Sequence, residues 1–140
     1  MNILFLLNFM ACAQIFASNP IFRYEPKKSE IIGTLDRQTF PGPPNYESIA
    51  TGDAMERHWY VKLDSPIDVV TSDGDNVVNP ETEKNIRIIQ LSPNSDDETI
   101  LKFKKTKNGT RIKLKGRLFH RFTGHHHARM LMDVDTMEVL

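Results

Sequence analysis

The chain has 140 residues, which is enough for one domain with a single hydrophobic core and too little for two. Lysine and arginine together number 18, as do aspartate and glutamate, so no global charge draws the protein toward nucleic acid or an anionic membrane. Any electrostatic function must therefore be local.

Taken in chain order, the first residues are typical of an export signal. Apolar residues dominate positions 3–16, no charge occurs before Arg23, and small residues suited to cleavage end at Ala13 and Ala17. The apolar run is too short and too interrupted to predict a membrane span. We therefore expect residues 1–17 to be a signal peptide, and the mature protein to be periplasmic or secreted with no membrane span.

The single cysteine, Cys12, lies inside this segment. Cleavage after either Ala13 or Ala17 leaves the mature chain without a disulfide, a thiol nucleophile or a thiolate metal ligand. Two alternatives stay open. In one, Cys12 is the acylated first residue of a lipoprotein; in the other, the apolar segment is a helix that stays in the fold.

A polar, proline-containing leader over residues 18–30 precedes one predicted β-rich domain over residues 31–140. Segments of alternating or continuous apolar residues, separated by turn residues, are typical of strands in small β proteins. A proline-rich loop after Phe40 ends the first strand, and a turn at Asp64-Ser65-Pro66 ends the second. The predicted strands span residues 31–40, 58–63, 86–91, 111–122 and 129–135.

Two of these segments also predict which side chains face the core. In the second strand, Trp59, Val61 and Leu63 share one face. His120 falls on the apolar side of the fourth strand, where a hydrogen-bonded structural histidine is the usual outcome. The inner face of that strand is predicted to carry Ile112, Leu114, Gly116, Leu118 and Phe122.

Residues 95–107 are predicted to form the helix. Ser95 and Glu98 have the spacing of a capping box, and Asn108-Gly109 supplies a left-handed stop. The resulting order of strand, strand, strand, helix, strand, strand is that of an oligonucleotide/oligosaccharide-binding (OB) barrel. We therefore expect a mainly β fold, a small five-stranded OB-like barrel with one short helix between strands 3 and 4.

A basic stripe on the outer face of the fourth strand could bind a polyanion. If the last two strands form a hairpin, however, Asp133 and Asp135 lie beside this stripe, and cross-strand ion pairs neutralise it. An exported location also argues against nucleic acid, so we expect a solvated face and no nucleic-acid partner. Arg121 is kept as a candidate ligand-binding residue. The stripe consists of Arg111, Lys113, Lys115, Arg117 and Arg121.

The most informative feature is the tract His125-His126-His127, which follows Gly124 at a strand-to-strand corner. Imidazole ligates metals and handles protons near neutral pH, and in an extended chain alternate residues share a face. His125 and His127 are therefore predicted to point together, and His126 away.

Three interpretations of this corner stay open. A ligand-binding corner uses the three histidines against a second wall formed by Asn45 and Tyr46. A structural hairpin tip needs no ligand at all. A zinc-type metal site uses His125 and His127 as ligands and takes a third from elsewhere in the fold. The candidates for that third ligand are His58, His120, Asp53 and Asp64.

Signatures of catalysis are missing from the sequence. No serine stands in a nucleophile-elbow context, no HExxH helix is present, and the expected mature chain has no cysteine to pair with a histidine. We therefore expect a binding protein and not an enzyme, with no cofactor.

Several motifs occur together along the chain: Gly33-Thr34-Leu35, the loop from Phe40 to Tyr46, Gly52-Asp53, the stretch from Leu63 to Ile67, Ile89-Gln90-Leu91, Gly116 to Phe119 and Thr123 to His127. Together they resemble an exported bacterial family, number four-four-three-one among the domains of unknown function. The glycine-proline-proline-asparagine-tyrosine loop and the threonine-glycine-histidine corner are its specific parts. Ala128 stands where the family pattern has threonine. The resemblance implies a periplasmic or surface location and a small barrel, and it implies no reaction.

The sequence thus predicts an exported, monomeric module that binds a ligand or a partner. The partner is an unknown small molecule or an exported or cell-envelope protein. The alternative is a zinc-type metal-binding domain that uses the histidine corner.

The export signal gives a first prediction. The mature protein should begin after Ala13 or Ala17, because these small residues follow an uncharged apolar run. Intact mass spectrometry of the protein isolated from its native host checks this. A mass that still includes Met1 would contradict it.

Overall fold

The structure is a computed structural model, and it describes residues 17–71, 81–93 and 96–140. The expected cleaved segment up to residue 16, residues 72–80, and the predicted capping residue Ser95 lie outside the described residues.

The described residues form six strands, one α-helix and one short 3-10 turn. Their bounds are β1 Ile21–Arg23, β2 Lys28–Pro41, the 3-10 turn Ile49–Thr51, β3 Met55–Val70, β4 Glu83–Pro93, α1 Asp97–Lys105, β5 Arg111–His120 and β6 Met130–Val139.

Strands β2 to β6 close into a barrel. β2 pairs antiparallel with β3, and β3 pairs antiparallel with β4. β4 pairs parallel with β6, β6 pairs antiparallel with β5, and β5 returns antiparallel to β2. This is the strand order of an OB barrel, and α1 lies between its third and fourth strands in chain order. The predicted small OB-like barrel is confirmed.

The first strand was not predicted. β1 lies in the segment expected to be a polar leader, where it runs parallel to the end of β3, with Ile21 opposite Asp68. Tyr24, which follows it, is fully buried. The leader was misjudged because its partner strand is more than forty residues away, and no local pattern in the sequence reveals that pairing.

The predicted turn at residues 64–66 is wrong. β3 continues through it to Val70, and the chain does not reverse there. The register between β3 and β4 shifts between Lys62 and Ile67, so the pairing is irregular around Pro66. A proline has no N–H to give to a ladder, and such an irregularity accommodates it without ending the strand.

The interior of the barrel follows the predicted alternation closely. Of the predicted inner residues of β5, four are buried: Ile112, Leu114, Gly116 and Leu118. Phe122 is instead 65% exposed, because β5 ends at His120 and the alternation ends with it. Val61 is buried in the core, and Trp59 and Leu63 pack against it.

The helix α1 is shorter at both ends than predicted. Asp96 is its N-cap, and the Asp96 carboxylate accepts a hydrogen bond from the Thr99 N–H at 2.7 Å. This is the usual role of aspartate at that position. Phe103 is fully buried and packs against Trp59, with 5.3 Å between the ring centroids. The helix thereby closes the barrel interior next to β3.

The predicted hairpin of the last two strands is present, and it neutralises the basic stripe. Arg117 contacts Asp133 at 3.1 Å and Asp135 at 3.3 Å across the β5–β6 pair. Lys113 lies 2.9 Å from Glu138 on the same pair of strands. These contacts favour a solvated face over a polyanion site.

Gly116 gives a prediction about the fold. A Cβ atom at this position would overlap the carbonyl oxygen of Asp133 on β6, next to the register shift between β5 and β6. Because backbone would have to move, Gly116→Val should lower the free energy of unfolding by about 3 kcal/mol. In a domain of this size that lowers Tm by roughly 10 °C.

The matched control is Lys115→Val on the preceding, outward-facing position, where the lysine side chain is 59% exposed. We expect that variant to melt within a degree or two of the original protein, since exposed ion pairs contribute little. Equal melting temperatures for Gly116→Val and the original protein would show that the register of β5 and β6 is different.

Candidate functional site

Two loops come together outside the barrel wall. One covers residues 42–54 and joins β2 to β3; the other covers residues 121–129 and joins β5 to β6. In an OB barrel the loops between the first and second strands and between the fourth and fifth strands flank the binding face. The predicted Asn45-Tyr46 wall and the histidine tract lie on these two loops.

Asp53 holds the first loop in shape. Its carboxylate accepts hydrogen bonds from the backbone N–H groups of Ser48 at 2.8 Å, Asn45 at 2.9 Å and Glu47 at 2.8 Å. These hydrogen bonds hold the pKa of Asp53 below its ordinary value, and the bond from Ser48 has the largest effect. The carboxylate is therefore charged at neutral pH. Asp53 therefore organises the loop and does not reach the histidines.

Tyr46 connects the first loop to the second. Its hydroxyl lies 3.3 Å from Nε2 of His125, and the two rings meet edge to face at 5.5 Å. Gly124 lies against the Tyr46 ring, where an added Cβ would come within 3.0 Å of a ring carbon. A glycine at 124 therefore permits the close approach of the two loops.

Gln90, on β4, fixes the backbone of the histidine loop. Its side-chain NH₂ donates to the carbonyl of His125 at 2.8 Å. Its side-chain oxygen accepts from the N–H of His127 at 2.7 Å and from the N–H of Ala128 at 3.2 Å. Gln90 is only 3% exposed, so these bonds are made away from bulk water. The amide therefore sets where the histidine side chains lie.

Glu56, on β3, is the centre of the histidine cluster. Nδ1 of His125 lies 2.6 Å from Oε1 of Glu56. Nε2 of His58 and Nε2 of His127 lie 3.1 Å and 3.5 Å from the other oxygen, Oε2. Burial raises the pKa of Glu56, but the hydrogen bonds from His58, His125 and His127 outweigh it, and the net pKa is lowered. The carboxylate is thus charged among three imidazoles.

His127 is further fixed by an aromatic contact. Its ring stacks on Phe40 with 4.1 Å between centroids and an angle of 7° between planes. Phe40 pairs with Glu56 in the β2–β3 register, and the stacked His127 ring places Nε2 at 3.5 Å from Oε2 of Glu56. The His58 ring lies 5.3 Å from the His127 ring. These contacts leave His127 little freedom to rotate.

His126 faces the other way. Its Nδ1 accepts a hydrogen bond from the Phe122 N–H at 3.1 Å, and its ring meets the rings of Phe119 and Phe122 edge to face. Burial lowers the pKa of His126, and the neighbouring histidines lower it further. His125 and His127 are therefore side by side at Glu56, while His126 belongs to a separate aromatic contact.

Two shallow grooves flank the histidine loop. One, of about 360 Å³, lies over β2, β3 and β4 and is lined by Phe40, Tyr60 and His127 among others. The other, of about 230 Å³, is lined by His58, Gln90 and His125 among others. His127 lines the first groove, His58 and His125 line the second, and all three histidines contact Glu56.

Of the four third-ligand candidates predicted from the sequence, only His58 joins the cluster. Asp53 is engaged with its own loop, and Asp64 forms a bidentate ion pair with Arg111 at 2.8 and 2.9 Å. His120 contacts Glu83 at 2.9 Å. Of the four alternatives, the structure therefore brings His58 next to His127 and engages the other three elsewhere.

Arg121 is exposed, and its backbone N–H donates to the carbonyl of Arg129 at 3.2 Å. Its place at the start of the loop fits a contact with a bound ligand, and its role stays a prediction. Sequence reasoning missed Glu56, which is the residue that brings the histidines together. The signal was present, because Glu56, His58 and Tyr60 alternate along one face of β3.

Part of this chain is similar to a known protein family. Residues 88–138 match the family model described as Domain of unknown function (DUF4431). The resemblance seen in the sequence is confirmed over that span, which contains Gln90 and the histidine tract. No curated protein and no solved structure matches the chain. Among residues 17–71, 81–93 and 96–140, no helix has the length and apolar character needed to cross a bilayer.

Gln90 gives a prediction about the site. Gln90→Leu should lower the free energy of unfolding by about 2 to 3 kcal/mol, because it leaves backbone groups of the histidine loop without a buried partner. Hydrogen exchange should quicken at the amides of His127 and Ala128, which lose their acceptor. Thermal melting and exchange measured by mass spectrometry check both effects.

Asp64→Asn is the control. The Asp64 carboxylate accepts two hydrogen bonds from Arg111 at 2.8 and 2.9 Å, at the opposite end of β5 from the histidine loop. Its loss should leave exchange in residues 121–129 unchanged. If Gln90→Leu also leaves exchange in residues 121–129 unchanged, Gln90 does not hold the loop in place.

Proposed function

We propose that this chain is an exported binding or interaction module, located in the periplasm or secreted, whose ligand binds between loop 42–54 and loop 121–129. The observation that carries the proposal is that Tyr46 and the histidine tract meet on the face where OB barrels bind ligands. The apolar start of the sequence supports export.

The chemistry of the two grooves suits a small polar ligand that contains a ring. Phe40, Tyr46 and His127 present ring faces and edges on which a sugar or an aromatic group can stack. His125, with its side chain 54% exposed, can hydrogen-bond such a ligand. The proposal assigns binding and no reaction. Oligosaccharides fit because OB barrels bind them, and because export argues against nucleic acid.

A zinc-type metal-binding domain is the second candidate, and one observation favours it. One donor atom from each of Glu56, His58 and His127 lies within 4.8 Å of the other two. Imidazole nitrogens and a carboxylate oxygen are donors that zinc accepts. The two candidates are compatible, because a metal ion at this place would lie between the two grooves.

A titration followed by nuclear magnetic resonance tests the binding module. Mature protein labelled with ¹⁵N is titrated with neutral oligosaccharides, soluble peptidoglycan fragments and extended peptides. The amides of residues 42–54 and 121–129 should shift together with one of these probes. Tyr46→Ala and His125→Ala should each weaken that binding about tenfold, since each removes one contact worth roughly 1.4 kcal/mol.

Lys113→Ala is the matched control, because Lys113 lies near the start of β5 and contacts Glu138 on β6. Binding should be unchanged in that variant. Shifts confined to other surfaces, or equal affinities for the original protein and both site variants, would refute the proposed site. Shifts in both loops with peptides alone would identify the ligand as a protein segment.

A further inference from the structure

We propose that Glu56, His58 and His127 form a binding site for a zinc-like divalent ion and that His125 positions Glu56 without touching the ion. The inference rests on the binding site proposed above and names one ligand that it takes. The sequence predicted His125 and His127 as the metal ligands. In this proposal His127 remains a ligand and His125 does not.

The distances between donor atoms support this set. Zinc lies about 2.0–2.1 Å from nitrogen and oxygen ligands, so two ligands at corners of a tetrahedron are about 3.3 Å apart. Nε2 of His58 and Nε2 of His127 lie 3.1 Å and 3.5 Å from Oε2 of Glu56. Both distances match the edge of a tetrahedral zinc site, and the donor atoms of all three residues lie within 4.8 Å of one another.

The three donors are held by rigid elements. Glu56 and His58 are two residues apart on β3, so they share one face of the strand. His127 is fixed by its stacking on Phe40 and by its backbone bond to Gln90. A site whose side chains are already held by packing loses little entropy when an ion binds. Two imidazoles and one carboxylate form a donor set found in zinc proteins.

His125 fits the role of a positioning residue. Its Nδ1 lies 2.6 Å from Oε1 of Glu56, which leaves Oε2 to face His58 and His127. On the far side its Nε2 contacts the Tyr46 hydroxyl at 3.3 Å. A hydrogen bond to the outer oxygen of a ligating carboxylate fixes its orientation and raises metal affinity. Tyr46, His125 and Glu56 thus connect loop 42–54 to the ion.

Three protein ligands leave one tetrahedral position for water or for a donor of the bound ligand. The side chains of Glu56, His58 and His127 are 15%, 23% and 14% exposed, so the cluster lies just below the surface between the two grooves. An ion there could therefore contact a ligand that occupies either groove.

A second cluster, formed by Glu81, Glu83 and His120, does not carry the same inference. A guanidinium nitrogen of Arg129 lies 2.6 Å from Glu83, which places a fixed positive charge beside the carboxylate. That charge would repel a cation. In the Glu56 cluster, by contrast, the carboxylate oxygens are approached by the imidazoles of His58, His125 and His127, which can be neutral.

The test uses mature protein without an affinity tag, freed of metal by chelation. Calorimetry with Zn²⁺ should give one site per chain. Co²⁺ should give the visible absorption bands of four-coordinate cobalt. Glu56→Gln, His58→Asn and His127→Asn should each abolish the Zn²⁺ site. His125→Asn should weaken Zn²⁺ binding by roughly 10- to 100-fold and leave the Co²⁺ bands in place.

His126→Asn is the control, because asparagine can still accept the Phe122 N–H bond and His126 does not face Glu56. It should leave Zn²⁺ affinity unchanged. Circular dichroism confirms that each variant is folded. Two results would overturn the proposal. The first is that the original protein does not bind Zn²⁺. The second is that His58→Asn binds Zn²⁺ normally while His125→Asn and His126→Asn do not. The second result would mean that the histidine tract alone chelates the metal.

Repeating the oligosaccharide and peptide titration in the presence of a chelator separates this inference from the proposed function. Loop shifts that persist, together with the absence of a Zn²⁺ site, refute the metal site and leave the binding module intact. A Zn²⁺ site with the expected variant pattern supports the inference even where no organic probe binds.

Discussion

The parallel pairing of β4 with β6 is the constraint on which the candidate site depends. It closes the barrel and places Leu131 beside Gln90, so β6 begins opposite the second half of β4. The residues before β6 must then run past the first half of β4. Arg129 reaches Glu83 there, and the loop backbone reaches the Gln90 amide. From the Gln90 amide, which holds the backbone of the histidine tract, His125 and His127 reach Glu56 near the start of β3.

Much of this barrel could be predicted because its inner face has a strict period of two. The alternation of Ile112, Leu114 and Leu118 predicts the buried side of β5 correctly. The errors have a different origin. β1 is stabilised by pairing with the distant end of β3, and β3 passes through Pro66 at an irregular pairing. Neither effect is encoded in neighbouring residues, so a local pattern predicts a leader and a turn.

The candidate site also has one part that the sequence predicts and one part that it does not. The spacing of His125 and His127 predicts two rings on one side, and the structure places both at one carboxylate. Which carboxylate that is depends on the pairing of β2, β3 and β4, so residue type alone could name Asp53 and Asp64 as candidates but could not identify Glu56. Asp53 is already engaged by three backbone N–H groups, which the sequence did not reveal.

A carboxylate among three imidazoles explains why one cluster fits two candidate functions. Without an ion, Glu56 is stabilised because ring N–H groups of His58 and His127 can donate to Oε2. With an ion, the same two Nε2 atoms would present lone pairs, and the ring protons would move to Nδ1. His125 needs no such change, since it already contacts Oε1 through Nδ1. The two candidates would thus differ at these two rings in the position of the ring proton, which is on Nε2 without an ion and on Nδ1 with one.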